Sequence, residues 1–379
     1  MREGLRLFRT SPGFAAVAVL TLALGISATT AIFSVVYATF LAPLPYRDPG
    51  RLVMVFTRMD GYRHLVDAGD FAEWKRHATV FADLNAWTVR NVTLAEDGRP
   101  EHVAAGVATP GLLAMMGYGH PLALGRDFRD GEGAAGGEEV VILSHRLWQA
   151  RFGGDRGLLG RRIRIDGRPH LIVGVLGAGP ADRNEARLWL PHVFTPQELK
   201  PDVPDLRHYV VGRLKPGITP AAAHASLSAL AERLAEGGGR YKRGASVEPF
   251  RNSLLAGHTR SALLLLLGAV AFVLLIACAN VASLLLARGS VRQRELALRA
   301  SLGASPAAIA RQLLTESLLL ALAGGGLGVA IAAVLLRTVM ALMPAGALPS
   351  EADVRLSLPV LLVTLAISAL CALLFGCAP

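Results

Sequence analysis

Arg292, Glu295 and Arg299 stand at i, i+3 and i+7, so a helix would carry all three on one face. They belong to the stretch ARGSVRQRELALRASLGASPAAIARQ (Ala287–Gln312), in which Arg288, Arg292, Arg294, Arg299 and Arg311 stand against one acid, Glu295. Such a face offers ion pairing and docking rather than bond making. Gly303 breaks the helix. After Ala304, Ser305 is a candidate N-cap and Pro306 suits the first position of a following helix. The stretch reads as a short helix, a sharp turn and a second helix, set between two apolar runs. A helix braced in that way can pass a push from a cytoplasmic partner into the bilayer. The alternative is an ordinary topology anchor, because basic loops are the rule at the cytoplasmic ends of spans.

Motifs for catalysis are absent from the sequence. No lysine follows a glycine, so there is no phosphate-binding G-x-x-x-x-G-K-[ST] loop, and neither H-E-x-x-H nor G-x-S-x-G occurs. The ten histidines are scattered, and each reads as a surface or packed residue. No catalytic, cofactor-binding or metal-ligating residue is assigned.

Composition sets the class. The chain of 379 residues is 52% hydrophobic and 18% charged, below the share of about 25% usual in soluble domains. The net charge of +10 does not form a basic stripe with interleaved aromatics, which argues against nucleic acid. Residues 43–257 hold 28 basic and 24 acidic groups, and the concentrated excesses flank apolar runs, where positive charge sets orientation. All three cysteines, Cys278, Cys371 and Cys377, lie in apolar stretches. The long polar segment has none and is expected to stand on its core in an oxidising compartment.

The apolar runs come in order. Residues 1–12 form a short basic N-terminal segment, expected on the cytoplasmic side. Residues 13–42 carry no charge and exceed the ~30 Å hydrocarbon core at ~1.5 Å per residue. That is about twice a signal peptide's apolar region, so an uncleaved anchor is expected. Gly25 and Ser27 head a patch of small residues that lets another helix approach closely. The second span is 261–287, interrupted by Asn280, which could line a pathway or bond across helices. Residues 288–312 form the basic loop and 313–343 the third span, with Glu316 near its cytoplasmic end. Gly324 and Gly328 form a G-x-x-x-G pair for helix packing, and Arg337 snorkels toward the far surface. After a polar loop at 344–357, residues 358–379 begin a fourth span that meets the end of the sequence, as a cut chain would.

Residues 43–257 read as mixed α/β. Strands are expected at Arg51–Phe56, Glu139–Leu143 and Tyr209–Leu214. A hairpin over Arg161–Leu176 turns at Asp166-Gly167. Helices are expected from Asp70, as N-cap, to His77, after Ser144, and from Thr219-Pro220 to Glu236. Two intimately packed lobes are expected.

The resemblance follows from these stretches. RQRELALRASLGASPAAIARQLLTESLLL (Arg292–Leu320) resembles the characteristic segment of MacB/FtsX-type permeases of ABC transporters. SPGFAAVAVLTLALGISATTAIFSVVYATFLAPLPYRDPGRLV (Ser11–Val53), DFAEWKRHATVFADL, SHRLWQARFGGDRGLLGRRIRIDGR and VVGRLKPGITPAAA are similar to the duplicated orphan permeases common in acidobacteria. The resemblance implies an α-helical membrane protein of four transmembrane helices, the last cut short. A large α/β MacB-like periplasmic core domain is inserted between helices 1 and 2, and residues 261–379 form the FtsX-like permease domain. It further implies the inner membrane of a bacterium, with the N-terminus cytoplasmic. The chain itself would bind no cofactor, ATP and Mg belonging to an ABC ATPase subunit in trans. The other implied partners are a second permease copy (a homodimer or a duplicated half), the lipid bilayer and periplasmic or outer-membrane components. Arg292, Glu295 and Arg299 would be the coupling face and Gly303, Ala304, Ser305 and Pro306 its turn. The other class of reading is a membrane sensor or scaffold whose outer domain binds an envelope ligand.

Overall fold

The computed structural model describes residues 12–96, 99–117, 122–178, 186–200, 207–236, 244–254, 257–301, 306–343 and 352–377. The chain divides into two units, Pro43–Leu255 and the pair of segments Met1–Ala42 and Ala256–Pro379.

In the first unit a 12-stranded sheet supplies the frame. Its main path uses β12 (Gly244–Pro249), β1 (Leu52–Met59), β11 (Arg207–Leu214), β4 (Phe81–Glu96), β5 (Arg99–Ala108), β10 (Leu188–Pro191), β7 (Val140–Leu143), β9 (Arg168–Val175) and β6 (Leu124–Gly125), in that spatial order. Short strands β2 (Tyr62–His64), β3 (Val66–Asp67) and β8 (Arg162–Ile165) pair off this path. The helices are α2 (Ala68–His77), α3 (Leu112–Met116), α4 (His145–Phe152), α5 (Pro220–Glu236) and α6 (Phe250–Ser253); α1 belongs to the second unit.

The expected two lobes share this one sheet. Strand β4 is 16 residues long and joins them, pairing with β11 through its first half and with β5 and β8 farther on. One core cluster sets Phe71 and Trp74 of α2 and Ala223 and Leu227 of α5 against Val53, Val55 and Val210 of the strands. Another sets Leu147 and Trp148 of α4 against Val141, Ile163, Ile165 and Ile172. A third, with Trp189, Leu112 and Phe250, fills the space between neighbouring strands and α3.

Local chemistry explains most boundaries. The Ser144 hydroxyl accepts from the Leu147 amide at 3.1 Å and starts α4, and Gly153 at φ 59° ends it. Asp166 (φ 48°) and Gly167 (φ 78°) are both left-handed, as the tight β8–β9 turn requires. The expected N-cap at Asp70 is corrected. Strand β3 hands over directly to α2, so Asp67 occupies the cap position with extended backbone. Asp70 falls inside the first turn, where its carboxylate complements the positive end of the helix dipole and accepts from the Thr57 hydroxyl at 3.4 Å.

The second unit is helical. Helix α1 (Pro12–Val36) continues as one π-turn, Tyr37–Leu41. Helix α7 spans Gly257–Ser301, α8 Pro306–Leu342 and α9 Leu358–Cys377. Among the described residues three stretches are long and apolar enough to cross a membrane: Pro12–Leu41, Arg260–Leu284 and Ser317–Leu342. The apolar helix Leu358–Cys371 is shorter.

At Gly106, opposite Trp189 in the parallel β5–β10 pair, an added Cβ would stand 2.5 Å from the indole ring. Gly106→Ala is expected to destabilise the domain by about 1–3 kcal/mol through forced displacement of the ring, measured as a lower midpoint in urea followed by tryptophan fluorescence.

Candidate functional site

The basic segment is the far end of a membrane helix. Its backbone does not form the separate short helix expected from the sequence, because α7 runs unbroken from Gly257 to Ser301 and carries Arg292, Glu295 and Arg299 in helical register. Beyond the apolar stretch that ends at Leu284, the helix continues for a further ~25 Å at ~1.5 Å per residue. Gly303, Ala304 and Ser305 of the expected turn lie outside the described residues. Pro306 is the first residue of α8, where its fixed φ and missing N–H cost nothing.

Helix α1 is the hub onto which the other membrane helices pack. A Cβ on Gly25 would stand 3.1 Å from Leu274 Cδ1 and 3.2 Å from Ala277 Cβ of α7. One on Gly324 of α8 would stand 2.8 Å from Leu22 Cβ, and one on Gly328 3.0 Å from Ile26 Cγ2. The three glycines thus meet on α1, with Gly25 facing one neighbour and Leu22 and Ile26 the other. Ser27 is buried but bonds within its own helix, to the Leu24 carbonyl at 3.0 Å.

Three features of this seam escaped the sequence reading. Gly325 makes room for Ser368 of α9, whose Oγ would lie 2.6 Å from an added Cβ. The buried hydroxyls of Thr30 and Thr364 bond across α1 and α9 at 3.0 Å. The Cys278 and Cys371 sulfurs meet at 3.2 Å between α7 and α9. Small and hydroxylated residues are the signal, but their partners lie on other helices, from Ser368 for Gly325 to Thr364 for Thr30. Asn280 is exposed on α7.

In the sheet unit the polar groups knit the framework. Arg213 is 9% exposed and donates to the carbonyls of Arg47, at 2.6 Å, and Asp48, at 3.3 Å, and to that of Met115. It thereby ties the incoming segment and the end of α3 to β11. Burial lowers its pKa, assisted by Arg51 and Arg47 and opposed by Asp48 and Asp83. Arg126 and Glu132 form two hydrogen bonds at 2.6 and 3.1 Å that close a glycine-rich loop. Burial pushes the Glu132 carboxyl up, but the Arg126 bond and the Arg129 amide outweigh it and leave its pKa below the ordinary value. Glu198 is likewise raised by burial and lowered further by the Thr195 amide and hydroxyl and by His192 and His208, for a net fall. Among the described residues no three His, Cys, Asp or Glu side chains gather as a metal site.

Two family descriptions match this chain. "MacB-like periplasmic core domain" covers residues 15–230, and "FtsX-like permease C-terminal" covers 267–379. The chain belongs to the MacB/FtsX permease family. Within this family these domains are non-catalytic membrane components, and the ATPase activity lies outside them. A pyoverdine export ATP-binding/permease protein of Pseudomonas syringae pv. tomato is 25% identical over 69% of this chain and 39% of its own length. A macrolide export ATP-binding/permease protein of Burkholderia thailandensis is 26% identical over 51% of this chain and 29% of its own. The chain therefore spans less than half the length of these relatives. The crystal structure of the periplasmic region of MacB from Actinobacillus actinomycetemcomitans matches with a TM-score of 0.39 at 15% identity, covering 52% of this chain and 87% of that one. By its two family matches and its apolar helices, the chain is a membrane protein with a MacB-like periplasmic domain.

Two outcomes are expected. Gly324→Leu with Gly328→Leu forces α8 away from α1, and cysteine crosslinking between the two helices should fall several-fold while membrane insertion persists. Glu132 has a folded pKa depressed from the ordinary 4.5, so its contribution to stability is complete above that value and is lost as pH falls through the folded pKa. Thermal unfolding of Glu132→Gln should lose part of the wild type's fall in Tm on acidification below about pH 4.5.

Proposed function

We propose that this chain is the permease part of an ABC-type transporter, and that it relays movement driven by a separate ATPase to its periplasmic domain. The observation that carries the proposal is the unbroken α7. A cytoplasmic push on Arg292, Glu295 and Arg299 enters one stiff rod that begins at Gly257, two residues after the sheet unit ends. The names of the relatives, which pair ATP binding with a permease and with export, support the same reading. In this proposal the helices α1, α7, α8 and α9 are four spans of the bacterial inner membrane. The N-terminus is cytoplasmic and the MacB-like domain sits between the first two spans. The turn at Gly303, Ala304, Ser305 and Pro306 positions the coupling face. ATP and Mg bind to the partner ATPase, and the substrate is an envelope molecule that the periplasmic domain expels or hands on.

A second permease copy, as a homodimer or as a duplicated half of the orphan-permease kind, completes the unit. The exposed Asn280 amide supports this, because an amide on the outer face of a membrane helix gains most from a partner helix.

The combined charge reversal Arg292→Glu and Glu295→Arg tests the coupling face. Stimulation of the ATPase by reconstituted permease should drop about ten-fold or more, the loss expected when more than ~1.4 kcal/mol of docking energy is removed. Membrane insertion, read by protease protection of the outer domain, should be unchanged. Wild-type stimulation in a correctly inserted double variant would refute the assignment.

A further inference from the structure

The sequence has three cysteines and none in residues 43–257. Two of the three, Cys278 on α7 and Cys371 on α9, stand sulfur to sulfur at 3.2 Å. Both are free thiols and both are buried, at 8% and 3% exposure, in the cluster where Leu22, Ile26 and Leu320 also meet. Packing alone would be served by alanine or valine. Two thiols in contact, on helices 93 residues apart in sequence, are instead reagents held next to each other.

We propose that Cys278 and Cys371 are a reversible disulfide site that covalently tethers α7 to α9, with a lipid-soluble quinone as the class of oxidant. The two S–H bonds break and one S–S bond forms; both protons and both electrons pass to the quinone, which leaves as the quinol. The sulfurs need close by only about 1.2 Å to reach the bond length of about 2.0 Å. Exposed apolar residues lie within three positions of each cysteine. Leu275 and Ile276, beside Cys278, are 56% and 60% exposed, and Leu370, beside Cys371, is 56% exposed. A membrane-dissolved oxidant therefore approaches a pair that water-borne reagents do not reach.

The consequence rests on the coupled-permease reading. Helix α7 is the rod that carries the basic segment, whereas α9 packs against α8 and α1. A bond between α7 and α9 stops any sliding of the rod along its neighbours. The oxidised protein would be locked and the reduced one free, so envelope transport would follow the redox state of the membrane quinone pool.

The test uses the chain of residues 1–379, with its three cysteines, in bacterial membranes. The membranes are treated with a fully substituted benzoquinone, whose ring has no free carbon to add a thiol. The sample is then denatured and its remaining thiols are counted by maleimide–polyethylene glycol gel shift. The wild type should fall from three adducts to one and return to three after dithiothreitol. Cys278→Ala should hold both of its remaining adducts throughout, and Cys377→Ala should fall from two to none. Three adducts in oxidised wild type, or loss of adducts in Cys278→Ala, would overturn the site. In proteoliposomes, ATPase stimulation should fall on oxidation and recover on reduction. A crosslink that forms without changing this stimulation overturns the locking role. Absence of stimulation even in the reduced protein instead counts against the permease reading and leaves the adduct count valid.

Discussion

Helices in lipid gain no hydrophobic free energy by meeting, since the acyl chains they displace are as apolar as their own side chains. The membrane unit therefore depends on how closely backbones can approach. Gly25, Gly324 and Gly328 set that distance at α1: a β-carbon at Gly324 would clash with Leu22, and one at Gly25 or Gly328 would press tightly on Leu274 or Ile26. The hydroxyl bond between Thr30 and Thr364 adds α9 to the same hub. A second apolar cluster, Ala31, Val35 and Leu336, continues the contact along α1. Dispersion over a close seam, with a few buried hydroxyls, does for this unit what water exclusion does for the sheet.

The sheet unit solves the opposite problem. It can bury apolar surface against water at about 25 cal/mol per Å², and its three clusters do so on one continuous sheet. What it needs in addition is stiffness where the chain enters. The Arg213 guanidinium supplies it by gathering the Arg47, Asp48 and Met115 carbonyls. A buried arginine bonded to three carbonyls is a stiff joint.

Signals confined to a few neighbouring residues were legible in the sequence. Ser144 as a cap, Asp166-Gly167 as a tight turn and Pro306 as a helix start all act through adjacent backbone, and each stands where it was expected. Glycine at 25, 324 and 328 marked close approach, but the helix each would meet was not readable, because Gly25 meets α7 across some 250 positions. Asp70 misled because the cap position moves with the end of the preceding strand, which pairing with β11 fixes from more than a hundred residues away. The short helix expected in the basic stretch is not a separate one, since the hydrophobic pattern ends near Ala287 while helix propensity does not; RQRELALRA is rich in strong helix formers. The family assignment was legible throughout, because it rests on several separated stretches at once.

Site-specific photocrosslinking in living cells tests the central claim most directly. A photoreactive residue is placed in turn at Arg292, Glu295 and Arg299, and at Leu322 on the exposed side of α8 as a control, and adducts are identified by mass spectrometry. The account predicts an ABC-type ATPase joined at the three basic-segment positions and absent from Leu322. Adducts with lipid or envelope proteins alone, with no ATPase at any of the three positions, would contradict it.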